Sequence, residues 1–217
     1  MFDPETSPAP PAEPTPPADD APPLATGGVL RAIGQFLRET FYTLFLTAAL
    51  YILLNTITAR IRVEGYSMVP TLQGGEFILV YRLAYRFGRQ PQRGDIVVFR
   101  PQNNGLGGDY IKRVVGLPGD EVLIQNGTVY INNQPLYEPY ILERPRYNGY
   151  WKVPPGHIFV LGDNRNHSTD SHILGPIPMT RVLGKAVVVY WPPSRVRVLR
   201  PEAPPPTTHP TAALRQR

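Results

Sequence analysis

The chain has 217 residues and a net charge of +5, enough for one medium domain with appendages. Its 22 basic residues are scattered without a Lys/Arg block, which argues against a nucleic-acid partner and for a basic face near anionic lipid headgroups. It has no cysteine, which excludes a disulfide framework, a thiol nucleophile and a thiolate metal site.

In chain order, residues 1–28 are rich in Pro, Ala and acidic side chains and read as a disordered tail, because they cannot bury enough apolar surface to offset their ordering entropy. Residues 29–60 read as a juxtamembrane segment and a transmembrane signal-anchor helix. Within them, Phe41–Ala59 carries no charge and spans roughly 28 Å as a helix, close to a bilayer core of about 30 Å. Asn55 and the threonines count against a membrane span. A cleaved signal peptide fits worse, since the stretch is long, far from Met1 and lacks an A-x-A site before Arg60. Arg31 and Arg38 before the span balance Arg60 and Arg62 after it, so charge alone does not orient it.

Residues 61–200 form the β-rich domain. FILVYRL, DIVVFR, YIKRVV, EVLIQ, TVYIN, HIFVLG and KAVVVYW are short apolar runs separated by Gly, Pro, Asn and Asp. Gln125-Asn126-Gly127-Thr128 predicts a type I′ hairpin, since Asn-Gly accepts positive φ at both central positions. The expected fold is mainly β: a coiled, barrel-like sheet preceded by a single transmembrane helix. Residues 201–217 read as a second disordered, Pro-rich tail.

Three segments hold the candidate chemistry. Ser67 lies in Gly65-Tyr66-Ser67-Met68-Val69-Pro70-Thr71-Leu72, where Gly65 and Pro70 suit a bend that presents a hydroxyl and backbone N–H groups. A serine needs a base to become a nucleophile. Lys112 lies in the strand-like run Tyr110–Val115, and alternation puts it on one face with Tyr110 and Val114, opposite Arg113. At its ordinary pKa roughly 0.04% of a lysine is neutral at pH 7; a fall to about 8 raises that to roughly a tenth, and an apolar setting causes such a fall. The third segment, Gly162-Asp163-Asn164-Arg165-Asn166-His167-Ser168-Thr169-Asp170-Ser171, lacks calcium-loop spacing. His167 and His172 have no third zinc ligand in sight, so no metal and no cofactor is expected. No G-x-S-x-G elbow supports a Ser-His-Asp hydrolase.

These segments resemble, in order and spacing, the boxes of bacterial type I signal peptidases. Ser67-Met68-Val69-Pro70-Thr71-Leu72 resembles the S-M-x-P-T-L box, Tyr110–Asp120 the lysine box, and Gly162-Asp163-Asn164-Arg165 with Ser168, Asp170 and Ser171 the G-D-N-R-x-x-S-x-D-S box. The resemblance implies a membrane-bound serine endopeptidase that removes signal peptides from exported preproteins, cutting after small residues at −1 and −3. It implies Ser67 as nucleophile, Lys112 as general base and Ser168 as the hydroxyl that orients the lysine. The Ser67 N–H would be the oxyanion donor, and Gly65 stands where some relatives carry a second, hydroxyl donor. Arg113 is expected to pair with Asp163, and Gly162, Asn164, Arg165 and Asp170 to support the site, with His172 in place of an arginine as a weaker, pH-dependent brace. Val63, Met68, Leu72, Tyr110 and Ile111 are the candidate pocket lining. The partners implied are preproteins and membrane lipid, with the N-terminus cytoplasmic and the catalytic domain outside the cytoplasm. A self-cleaving repressor-like Ser/Lys protease would need a DNA-binding domain where this chain has its apolar span. An anchored β-rich scaffold without activity is the remaining alternative.

Overall fold

The computed structural model describes residues 26–101 and 108–201. The two expected disordered tails lie outside the described residues, except for Pro201 and for residues 26–28, which already belong to the first helix. The chain divides after Ala49 into two compact units.

Helix α1 runs Thr26–Ile57. Its stretch Arg31–Ile57 is long and apolar enough to cross a membrane. The polar side chains that counted against a span are satisfied inside the helix. Thr43 donates to the Glu39 carbonyl, Thr47 to Thr43, Asn55 to Tyr51 and Thr56 to Ile52, each one turn back. Such back-bonding removes the cost of a bare hydroxyl or amide in an apolar medium. The helix ends earlier than expected. Thr58–Arg62 forms strand β1, not a continuation of the span to residue 60. Pairing wins there: Thr58 faces Tyr81 across a ladder, and Arg82 N–H donates to the Ile57 carbonyl at 2.9 Å.

The second unit contains β2 (Phe77–Tyr81), β3 (Ile96–Phe99), β4 (Tyr110–Gly116), β5 (Glu121–Gln125), β6 (Thr128–Ile131), β7 (Gln134–Pro135), β8 (Gly149–Lys152), β9 (His157–Leu161), β10 (Ile177–Pro178), β11 (Val182–Trp191) and β12 (Arg197–Val198). A short helix α2, Ser171–Leu174, follows β9. All seven apolar runs form strands. The larger sheet has the order β1-β2-β11-β3-β4-β9-β10, with β12 on β11, and every pairing is antiparallel. Register shifts along β11, near Val182, Val188 and Trp191, bend this strand and curl the sheet into a half-barrel. Gly184 permits the curl, because a Cβ there would stand 2.6 Å from the Tyr81 carbonyl oxygen.

The smaller sheet, β7-β6-β5-β8, contains the expected hairpin. Gln125 pairs with Thr128, and Asn126 and Gly127 adopt φ of 51° and 75°. Strand β4 is central. Ile111 packs with Val63, Met68, Leu72 and Ile78, Val114 with Val97, Phe99 and Val160, and Val115 with Val122, Ile124 and Phe159 of the small-sheet core. A strand buried on both faces is a rigid platform for any side chain it carries.

Gly127→Ala places a side chain in the left-handed region with its Cβ 3.2 Å from Arg144 Cβ. Thermal or urea unfolding should show a loss of about 1–2 kcal/mol, whereas Thr128→Ala, at the ordinary strand position beside it, should lose less.

Candidate active site

Strand β4 carries two adjacent cations on opposite faces, and their environments differ. Arg113 is 1% exposed and makes a bidentate pair with Asp163: Nε donates to Oδ1 at 2.8 Å and an Nη to Oδ2 at 2.7 Å. A further N–H goes to the Gly94 carbonyl, and the guanidinium lies 3.9 Å over the Tyr140 ring. Lys112 is 4% exposed and has no ion pair among the described residues. Its Nζ lies 2.7 Å from Ser67 Oγ and donates to the Ile111 carbonyl at 3.0 Å. The other two lysines are ordinary by comparison: Lys185 is paired with Asp95 at 2.6 Å, and Lys152 is solvated near Glu121.

Burial lowers the Lys112 pKa to about 8. The negative charges of Asp170 and Asp163 oppose this by a smaller amount.

Ser67 is delivered by the bend after β1. Val63 pairs through its N–H with the Glu76 carbonyl, Gly65 turns the chain at φ 81°, and Leu72 N–H closes a turn onto the Met68 carbonyl. The peptide bond before Pro70 is cis. The Ser67 N–H makes no hydrogen bond among the described residues, while its carbonyl accepts from Asn164 N–H at 3.0 Å. Gly65 carries no hydroxyl donor, and its positive φ explains why glycine suits the position better than serine.

The third segment wraps behind this bend. Asn164 also donates from its side chain to the Tyr66 carbonyl. Gly162 lets the two backbones touch: a Cβ there would stand 2.5 Å from the Ser67 carbonyl oxygen and 2.2 Å from Ser168 Oγ. Asp170 accepts from Gly162 N–H at 2.8 Å and caps α2 through His172 N–H. His172 Nδ1 sits 2.7 Å from Asp170 Oδ1, and its ring stacks on Tyr147 at 4.0 Å. Arg165 is buried in a bidentate pair with Glu138.

Two expectations need correction. Ser168 Oγ is buried but has no hydrogen-bond partner, so its expected bond to the Lys112 amine is not formed in this structure. Leu72 is fully buried in the core and does not line the cleft, because the turn after Ser67 folds it inward onto Val63, Met68 and Ile78. Val63, Met68, Tyr110 and Ile111 do line it, together with Ser67 and Lys112, in a cavity of about 540 Å³. Gly65 lines it as well, and Ile61, Arg62, Glu64, Tyr66, Gly108, Asp109, His167 and Thr169, which were not foreseen, complete the wall.

Thr71 and Glu138 also went unforeseen. Thr71 Oγ1 donates to Asp163 at 2.5 Å and its carbonyl accepts from Arg197, which in turn grips Glu76. Its place in the Ser67–Leu72 run was the available signal. Glu138 sits in a stretch with no pattern to mark it. No group of acidic and histidine side chains among the described residues is arranged to hold a metal.

Comparisons with known proteins agree on one family. The family model described as "Signal peptidase, peptidase S26" matches residues 37–191. The probable signal peptidase I-1 of Synechocystis sp. is 43% identical over 169 residues, covering 74% of this chain and 86% of its own. The signal peptidase I of Leptolyngbya laminosa is 43% identical over 173 residues, covering 76% and 85%. That of Bacillus caldolyticus is 40% identical over 147 residues, covering 60% and 78%.

Asp163→Ala removes the carboxylate that compensates a buried guanidinium, and urea denaturation should show a loss of about 3–5 kcal/mol. Arg146→Ala, which breaks the exposed pair with Glu143, should change stability by no more than about 0.5 kcal/mol. Equal losses would mean that the Arg113–Asp163 pair does not hold the site together.

Proposed function

The chain belongs to the signal peptidase family, peptidase S26, and on that footing we propose that Ser67 and Lys112 are its catalytic dyad. Membership makes it a serine peptidase that removes signal peptides. That sets aside the reading of an anchored scaffold without activity. The observation that carries the dyad is the 2.7 Å contact between the Ser67 hydroxyl and a buried lysine amine with no carboxylate partner.

In this reading the neutral Lys112 amine takes the proton from Ser67 Oγ as the oxygen attacks the scissile carbonyl carbon. The unoccupied Ser67 N–H stabilises the oxyanion. Lys112 then gives its proton to the leaving amine, and the mature protein departs with its new N-terminus. Water enters, Lys112 takes one of its protons as the water oxygen attacks the ester carbon, and Lys112 then returns that proton to the departing Ser67 Oγ, which frees the signal peptide and restores the hydroxyl and the neutral amine. Ser168 would orient the lysine once its side chain turns toward the amine. Arg113, Gly162, Asp163, Asn164, Arg165 and Asp170 hold the frame, and Gly65 shapes the bend.

Val63, Met68, Tyr110 and Ile111 form the apolar part of the cleft wall. An extended peptide laid along it would place its −1 and −3 side chains on that wall, which supports selection of small residues there. The apolar α1 would anchor the enzyme, with residues 1–28 cytoplasmic and residues 61–200 outside the cytoplasm. A cleavage site held at the membrane surface then meets Ser67 at a raised local concentration.

With a purified preprotein, Ser67→Ala and Lys112→Met should each lower cleavage at least about a thousandfold, and mass spectrometry should place the wild-type cut after a small residue. Normal cleavage by Lys112→Met would sink the dyad. The rate should fall about tenfold per pH unit below about 7, as the amine with its pKa of about 8 becomes protonated; a profile flat from pH 5 to 9 would contradict this. Linkage gives the matching stability effect. The folded pKa lies below the unfolded value, so the unfolded chain binds more protons and Lys112 destabilises the fold at neutral pH. That burden lifts as pH rises from about 8 through the unfolded value. Lys112→Met should therefore raise stability at pH 7 by on the order of a few kcal/mol, and an unchanged or lowered melting temperature would count against the buried-amine account.

A further inference from the structure

The connection between β2 and β3 starts where α1 ends. Arg82, its first residue, donates its N–H to the carbonyl of Ile57, the last residue of the helix. Tyr81 just before it pairs with Thr58 just after the helix. Whatever surface α1 emerges from, this connection begins at that surface.

Its composition is unusual. Between Phe77 and Gly94 there are four arginines and no acidic residue. Arg93 is committed to Asp120. Arg82, Arg86 and Arg89 are exposed and have no ion pair or side-chain hydrogen bond among the described residues. Amid them stands Phe87, 91% exposed and held at φ 57°, followed by Gly88 at φ 78°. An aromatic residue in the left-handed region is a genuine outlier, and this one is both strained and fully hydrated. The fold gains nothing visible from it.

We propose that this connection is a docking element for an anionic bilayer surface, with Phe87 entering the headgroup–acyl boundary and Arg82, Arg86 and Arg89 binding lipid phosphates. The proposal rests on α1 spanning the membrane, as read above. Unpaired guanidiniums suit phosphate, an acid-free segment avoids repulsion from an anionic surface, and a single protruding ring matches a bilayer better than it matches a protein groove. A second contact beside the helix exit would restrain the peptidase unit from swinging about a single point of attachment.

The full chain lacks cysteine, so single-cysteine labelling is clean. Gln90→Cys, exposed beside Phe87, carries an environment-sensitive nitrobenzoxadiazole label. Tyr150→Cys, at an exposed position of β8, serves as control, and Leu46→Cys in α1 reports spanning. Each is reconstituted in vesicles of phosphatidylcholine alone or with about one-third phosphatidylglycerol, with nitroxide lipids as quenchers. In the anionic vesicles the label at 90 should shift to the blue and be quenched from the headgroup region, and the label at 150 should not. Replacing Arg82, Arg86 and Arg89 by Gln should lower the contacting population roughly fivefold per arginine. Phe87→Ser should abolish the blue shift. Cleavage in detergent micelles shows that the variants are folded.

The proposal is overturned if the label at 90 matches the control at 150, or if it is quenched equally in both vesicle compositions. Loss of water exposure at 90 without quenching by lipid would overturn it in favour of a second copy of the chain. A label at 46 that deep nitroxide lipids fail to quench would refute the spanning reading itself, separately from the outcome at 90.

Discussion

The structure turns on an amine buried without a carboxylate of its own. A lysine near a protein interior ordinarily finds an acid, as Lys185 finds Asp95. Lys112 sits within electrostatic reach of Asp163 and Asp170 and pairs with neither. Both acids are already satisfied: Asp163 by the Arg113 guanidinium and Thr71, and Asp170 by Gly162 N–H, His172 and the start of α2. Alternation along β4 makes this possible, since it sends Arg113 to the face where Asp163 waits and Lys112 to the face where Ser67 waits. Two basic residues side by side in sequence thereby end in different settings: Arg113 is ion-paired, and Lys112 is buried without a carboxylate, its pKa lowered to about 8.

Much of the remaining architecture serves that separation. The third segment must pass close behind Ser67 to bring Asp163 and Asp170 into place, and Gly162 is the point where backbone meets backbone. Arg165 and Glu138 fasten the far side of the same loop, while Arg197 ties Thr71 to Glu76 on the near side. Buried charge pairs of this kind contribute little net stability against an apolar replacement. Their use here is positional: they fix where each acid can and cannot reach.

The fold class and the core of the site were legible in the sequence for different reasons. The strands showed because their apolar runs are short and bounded by turn residues, and the hairpin at Asn126-Gly127 showed because few residues tolerate its backbone. Ser67 and Lys112 showed through the order of three segments, and the alternation argument placed Arg113 away from Lys112. The end of α1 was misjudged because Thr58–Arg62 is chosen as strand by its pairing with β2, which no local propensity records. Leu72 was misplaced because a turn, unlike a strand, offers no period from which to read a side chain's direction. Glu138 and Arg197 lie far from the site in sequence, and only tertiary folding brings them to it.

The unpartnered Ser168 hydroxyl belongs to the same logic. A buried hydroxyl without a hydrogen bond costs on the order of 1–3 kcal/mol, and Ser168 Oγ sits close to Gly162 behind the Ser67 carbonyl. The Lys112 amine meanwhile bonds Ser67 and the Ile111 carbonyl. In the proposed reaction Ser67 Oγ becomes an ester oxygen, and the amine would then hold water in its place. The Ser168 hydroxyl, close behind the Ser67 backbone, would then serve as a third ligand for the amine through deacylation. On this view the orphaned group is the cost of a partner needed at one stage of the proposed cycle and idle at another, a catalytic reason for a buried polar atom left unsatisfied.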